Sequence, residues 1–555
     1  MTACEGRFVI TFNGEIYNCP ALRKELESDG ARLFTTSDTE VLLHLYARFG
    51  EDMVHRLRGM FAFAIWDDAT RSLFLARDPY GIKPLYTAVS GGTFRFASQV
   101  KALLAGMRLS RDVDPAGLVG FRLFGSVPEP FTLYREIAAL PAGHVQRIDA
   151  KGAHAPQPFA RLAAVLAAGA RTREAADDLC ERVRAGVRDS VRSHLLADVE
   201  VGAFLSAGVD SGALVGLMAD AGQRDIRALT VSFAEFYGTA EDEGPLAAQS
   251  ASSYRVQHII RRVDAREFQN DLPALLAAMD QPSIDGVNTW FVAKAAREAG
   301  LKVAISGIGG DELFAGYSSF QDLPRWRRRY GPFAAVPGAG RVARALLRLL
   351  APGLARNRPK ALGVLDYAHG WAGAYLLRRG LFLPHELRQL IDTDIVREGM
   401  RRLDPLRRLS DSLWPDPGTD VGRVCALESA HYLRNQLLRD ADWAGMAHGV
   451  EIRVPLVDIV LLRFLAPIIP AFAAGAGKTA LAQAPSLSPP AEVVLRPKTG
   501  FAVPIRSWLN GSRGESKDSR PLSKGESSRR WSHVVLGALT QNNSRVDRAG
   551  EYQRQ

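Results

Sequence analysis

The sequence predicts two folded parts: a layered α+β domain at the front, then a doubly wound α/β domain carrying many helices. Three observations predict it. Residues 1–100 mix short strands, turns and helices, the composition of a sheet with helices on one face. From about Ala175 strands and helices alternate, as a parallel sheet requires. Two glycine-bearing turns each leave a strand and open a helix, where such a sheet takes its ligand.

In chain order, Arg7–Phe12 reads as a strand ending at Asn13-Gly14, Leu22–Ser28 and Thr39–Phe49 as helices, and Met60–Trp66 with Ser72–Ala76 as paired strands about Asp67-Asp68. This front part is taken as 1–150. An Ala-, Pro- and Gly-rich stretch, 151–174, reads as a linker. In the second part, 175–510, Val199–Leu205 is a buried strand, Ser211–Ala221 a helix, Ile226–Phe233 and Lys302–Ile305 further strands, and 320–470 mostly helical. Residues 511–555 open on Ser, Gly, Lys and Arg with few apolar residues and are expected to be a disordered tail, interrupted by the apolar piece Trp531–Leu539.

Composition narrows the class. Hydrophobic residues make up 47% and charged residues 23%, ordinary for a globular protein. The four cysteines, Cys4, Cys19, Cys180 and Cys425, lack zinc or redox spacing and read as free thiols of a reducing compartment. No basic-then-apolar leader opens the chain, and no run of about 18 apolar residues interrupts it. A soluble, cytoplasmic protein without membrane contact is expected. The net charge of +10 is concentrated in runs such as Arg325-Trp326-Arg327-Arg328-Arg329, read as a solvated helix face and not as a nucleic-acid surface.

The strongest local signal is Phe204-Leu205-Ser206-Ala207-Gly208-Val209-Asp210-Ser211-Gly212. Small residues let the backbone approach a phosphate, and a helix start adds unpaired N–H groups. Asp210 would repel phosphate unless magnesium lay between them. A plain tight turn, with Asp210 and Ser211 as helix caps, is the alternative. A second loop, Ser306-Gly307-Ile308-Gly309-Gly310-Asp311-Glu312-Leu313-Phe314, repeats the pattern; its acids are either caps or metal holders. Gly477-Lys478-Thr479 imitates the end of a Walker A loop, but Phe472 occupies the required glycine position, so no P-loop is read there.

These two loops, with Tyr432–Arg439, Met446–Asp458 and Arg496–Phe501, resemble the synthetase domain of glutamine-dependent asparagine synthetases, an ATP-pyrophosphatase-type fold. Phe12–Asn18, Ser37–Glu40 and Arg77–Tyr86 resemble the same family's glutaminase domain, which is Ntn-like. The resemblance spans roughly 5–510. It implies that glutamine yields ammonia at the front. At the rear ATP with Mg2+ would adenylate the side-chain carboxylate of aspartate, and ammonia would then displace AMP. By resemblance, Leu205, Ser206, Gly208, Asp210, Ser211, Val231, Ser306 and Gly307 hold ATP or pyrophosphate, Asp210 and Asp311 hold the metal, and Lys498 joins Asp210 and Asp311 in catalysis. Asn13 and Gly14 match oxyanion-hole positions, and Glu15 and Asp38 the groups that hold glutamine by its amino group. The expected assembly is a homodimer.

Departures sharpen the expectations. The family's nucleophile is a cysteine following the initiator methionine, whose own amino group serves as base; here Thr2 follows Met1 and Cys4 is misplaced. The front domain is therefore expected to be incomplete and its glutaminase impaired. Ala207 replaces a family glycine, a mild change if its φ stays negative. Ile308 replaces an acidic residue and cannot take a proton, so activity is expected to be low or redirected. Amidation of another carboxylate, or a non-catalytic relative, are the competing expectations.

Overall fold

A computed structural model describes the chain from 1 to 555 apart from residues 4, 107–108, 173–177, 337, 351–352, 354–358, 497–502, 511–523 and 553–555. Cys4 and Lys498 thus lie outside the described residues.

The front domain is built on an antiparallel sheet whose central strands are Phe8–Ile16, Gly59–Asp67, Ser72–Arg77 and His144–Asp149. Alternation sorts its side chains. Phe61, Phe63 and Ile65 pack with Val41, Leu42 and Leu45 of the helix Asp38–Phe49, whereas Ala62 and Ala64 turn to Leu85 and Leu140 beneath a second, three-stranded sheet. The expected first strand does not stop at Asn13-Gly14. It runs on to Ile16 because Gly14 pairs with Phe61 and lacks the side chain that would collide: a Cβ there would stand 2.1 Å from the Met60 carbonyl oxygen.

The rear domain carries a five-stranded parallel sheet in the spatial order Gln257–Val263, Arg227–Phe233, Val201–Phe204, Val303–Ile305, Glu451–Arg453. Both faces are covered. Val201, Ala203, Val303 and Ile305 enter one apolar cluster, and Leu229, Val231, Phe233 and Ala304 another, which is why these strands read as continuous apolar runs. The chain enters at the middle strand, proceeds to one edge, then crosses back to the other side. The reversal lies between Val201–Phe204 and Val303–Ile305, and a crevice opens there at the strands' carboxyl ends.

Among the described residues the region 320–470 is mostly helical, as expected, with the strand Glu451–Arg453 within it. The tail corrects an expectation. Residues Lys524–Tyr552 form a helix, and Trp531 and Val535 are fully buried beside Phe268 and Trp508. The stretch is sparse in apolar residues, but this apolar turn finds a preformed aromatic pocket in which Phe268 stacks on Trp508 at 4.6 Å. Among the described residues no single helix is long and apolar enough to cross a membrane; one apolar pair, Ile459–Leu465 with Ile469–Ala482, is bent by 89°.

Charged residues seam the two domains. Arg58 reaches Asp458 at 2.6 Å and Asp189 at 2.8 Å, Arg453 meets Glu15 at 3.2 Å, and Lys83 faces Asp442 at 3.4 Å.

The docked tail gives the first prediction. Trp531→Ala should destabilise the protein by about 3–5 kcal/mol, the range for emptying a buried aromatic site, as read by denaturant unfolding. A change within about 0.5 kcal/mol, typical of an exposed position, would mean the helix does not dock in solution.

Candidate active site

The first loop leaves the strand Val201–Phe204 and wraps around one hydroxyl. Ser211 Oγ accepts the Ser206 N–H at 3.0 Å, lies 2.9 Å from Ser206 Oγ, and donates toward the Gly208 carbonyl at 3.1 Å. The helix Val209–Asp220 begins at Gly208 with no side-chain cap. Asp210 and Ser211 are therefore first-turn residues and not the N-cap, and the Ser211 hydroxyl is engaged within the loop itself. Ala207 lies outside the positive-φ region, so the alanine imposes no backbone strain.

The second loop closes over the first because it has no side chains in the way. A Cβ on Gly307 would stand 3.1 Å from Asp210 Cβ, and one on Gly310 2.5 Å from Asp210 Cγ. Gly309 turns the chain at φ 93°. The short helix Gly310–Leu313 starts at Gly309 and carries Asp311 and Glu312 in its first turn.

Asp210 and Asp311, both buried, converge on one cation: Lys478 Nζ pairs with Asp210 Oδ1 and lies 2.7 Å from Asp311 Oδ1. The segment around Lys478 forms no phosphate loop; the lysine reaches the two acids from its own helix, Ala476–Ala482. Nothing in its local sequence indicates this; only the fold brings it to carboxylates from two distant loops.

Glu312 is fully buried, and burial together with the neighbouring Asp311 charge pushes its carboxyl up to about 8. It is neutral at pH 7 and accepts a hydrogen bond from the Tyr317 hydroxyl at 3.1 Å. Beyond it, the Arg379 guanidinium lies between two rings, 4.4 Å from the centre of Tyr317 and 3.9 Å from that of Tyr432. Its counter-charge is the buried Glu428 at 2.9 Å. Asp285 accepts from the Tyr432 hydroxyl and Gln436 Nε2, each at 3.3 Å.

Both loops, with Glu312, Tyr317, Tyr432, Arg379 and Asp285, line one cavity of about 1640 Å³. Leu205, Ser206, Gly208, Asp210, Ser211, Val231, Ser306, Gly307 and Asp311 all face it, as do Ile308, Glu312, Asp285 and Arg379. Small loops, a helix start and two acids suit a polyphosphate with magnesium, which takes one or two carboxylates and completes its shell with phosphate and water. The described residues contain no cluster of three or more metal-ligating side chains. Lys478 sits between the acids as a cation would.

At the front, Asn13 and Gly14 lie within the strand Phe8–Ile16. Asp38 Oδ2 accepts the Ile16 N–H at 3.2 Å. Burial raises the Glu15 carboxyl to about 7 in spite of Arg453 at 3.2 Å, with repulsion from Asp38 adding to the shift. The two acids are thus neighbours, with Glu15 paired to an arginine of the rear domain.

Comparison with known proteins identifies the family. The asparagine synthase family model matches residues 182–541, and the glutamine amidotransferase domain model matches 1–160. A putative glutamine-hydrolysing asparagine synthetase of Mycobacterium tuberculosis (strain ATCC 25618 / H37Rv) is 36% identical over 91% of this chain and 76% of its own length. Asparagine synthetase 1 of Bacillus subtilis (strain 168) is 31% identical over 91% of this chain and 77% of its own. Among solved structures, glutamine phosphoribosylpyrophosphate amidotransferase from B. subtilis covers 48% of this chain and 63% of its own at 15% identity, with a TM-score of 0.22, too low to carry an argument. With both domain models matched in order and two glycine loops meeting at the sheet's point of reversal, the chain belongs to the asparagine synthetase family.

Proposed function

We propose that this chain is a ligase that turns a carboxylate into an amide at the expense of ATP, with the side chain of aspartate as acceptor. The observation that carries the reading is the meeting of Asp210 and Asp311 from two glycine loops inside a cavity lined by every residue expected to hold ATP.

The chemistry follows from the groups present. An unactivated carboxylate resists attack by ammonia, and joining it to the α-phosphate of ATP supplies a leaving group. The loop Ser206–Ser211 is suited to hold the departing pyrophosphate, with backbone N–H groups and the helix start opposing its charge. Asp210 and Asp311 would hold Mg2+, which neutralises phosphate charge when bound. Lys478 then stands free to meet an anionic oxygen, and Lys498 is expected to do so from its own loop. Glu312, neutral at pH 7, adds no repulsion. Ammonia attacks the adenylated carboxyl carbon, AMP leaves, and the amide remains. We assign Asn13, Gly14, Glu15 and Asp38 to glutamine at the front site, as the source of that ammonia.

A second acceptor is favoured by one observation: Ile308 lines the cavity and gives its wall an apolar member where the resemblance expects an acid.

Pyrophosphate release with ATP, Mg2+ and aspartate tests the reading, with ammonium and glutamine compared as nitrogen donors. Release should require aspartate, and Asp210→Asn should lower it by about a hundredfold or more, as for loss of a group that stabilises developing charge. Release with a larger acid but not with aspartate selects the second acceptor. No release with any acid, from a protein that binds no nucleotide, ends the proposal.

Protonation of Glu312 gives a pH prediction. Its carboxyl is neutral below about 8 and charged above, so ionisation places a negative charge beside the phosphates. Mg-ATP affinity should fall as pH rises from about 7 to about 9. Glu312→Gln, which mimics the neutral form, should bind as the wild type does at pH 7 and lose that pH dependence in calorimetric titration.

A further inference from the structure

A second cavity, of about 580 Å³, lies away from the nucleotide loops. It is bounded by the helix Pro115–Phe124 of the front domain, the helix Thr393–Leu403 and the C-terminal helix Lys524–Tyr552. Val113, Pro115, Leu118, Ile395 and Leu536 make most of its wall apolar.

The exception is Arg122. It lines this cavity and is only 5% exposed. Its Nη1 donates to Ser532 Oγ at 3.0 Å, while its buried Nε has no hydrogen-bond partner, and among the described residues it has no ion pair. A buried charge without a counter-ion is costly, because it has lost water and gained no opposite charge in exchange. Burial pulls its pKa down, the opposite of what a neighbouring carboxylate would do. The other basic groups at the cavity do not add charge. Arg135 is balanced by Glu398 at 3.0 Å. His533 is held below the usual imidazole range by burial and by repulsion from Arg122. One net positive charge therefore faces an apolar chamber whose size falls within the range of small-ligand sites, about 300–1,000 Å³.

We propose that this cavity binds an apolar monocarboxylate, its head on the Arg122 guanidinium and its hydrocarbon body against Leu118, Ile395 and Leu536. The planar fork of a guanidinium matches a carboxylate and supplies the missing counter-charge. A single unbalanced cation suits a monoanion better than a phosphate, which carries more charge than the site can neutralise.

Calorimetric titration of the full chain with octanoate tests this, with octanamide as the uncharged analogue. Two variants separate the head from the body. Arg122→Gln removes the charge. Gly537→Leu fills the chamber from its helical wall, where a Cβ meets nothing within 4 Å and leucine favours the helix over glycine. Octanoate should bind once per chain. Octanamide should bind at least about tenfold more weakly, and each variant, with its fold verified by circular dichroism, should lose at least about tenfold in affinity, as expected for loss of a charge-assisted contact or of the chamber itself. Absence of binding to the folded wild type, equal binding of octanamide, or undiminished binding by Gly537→Leu would each overturn the proposal.

Discussion

Two carboxylates cannot share a buried sheet tip without a cation between them. At about 4 Å and an effective dielectric near 20, like charges repel by roughly 4 kcal/mol. Asp210 and Asp311 are brought together by loops that touch, and Lys478 relieves the repulsion by pairing with both. Much else follows from this arrangement. The loops approach only because Gly307 and Gly310 present no side chain to Asp210. The helix Ala476–Ala482 must dock where its lysine reaches both acids. Glu312, next in sequence to Asp311, is left so deep beside that charge that it keeps its proton near neutrality.

The seam between the domains is made in the same manner. Arg58 and Arg453 are drawn out of water to meet Asp458 and Glu15 across it. Such pairs recover little net stability once desolvation is counted, but removing one partner leaves the other unpaired. Their effect is to fix how the domains sit. Arg453 also donates to the carbonyls of His194 and Leu196 and pairs with Glu451, while its own carbonyl accepts the Ser306 N–H at 2.8 Å. One residue therefore touches the acid expected to hold glutamine and the start of the second loop.

The parts of this structure that were readable in sequence are those whose cause is local. The alternation in Met60–Trp66 marks a strand with two different faces, and the apolar run Ile226–Phe233 marks one buried on both. The glycine loops announce themselves because close backbone approach demands small residues in a row. Other elements leave no such mark. Glu451–Arg453 is three residues long and becomes a strand only by lying against Val303–Ile305. Gln257–Val263 carries adjacent arginines and becomes a strand as the sheet's edge, paired on one side only. Lys478 and Arg379 owe their places to partners far along the chain. The tail was misread because its composition is polar on average, while its order depends on one tryptophan and the pocket that receives it.

The glycines that let the two loops meet also set what this architecture can and cannot become. A side chain at Gly310 would displace the carboxylate of Asp210, and one at Gly316 would collide with both Asp311 and Lys478. Those positions are closed to drift. Asp285 and Arg379, which also line the cavity, are held instead by side-chain partners. Change in this chain is therefore expected where two partners can be exchanged together, and not where a glycine meets a carboxylate.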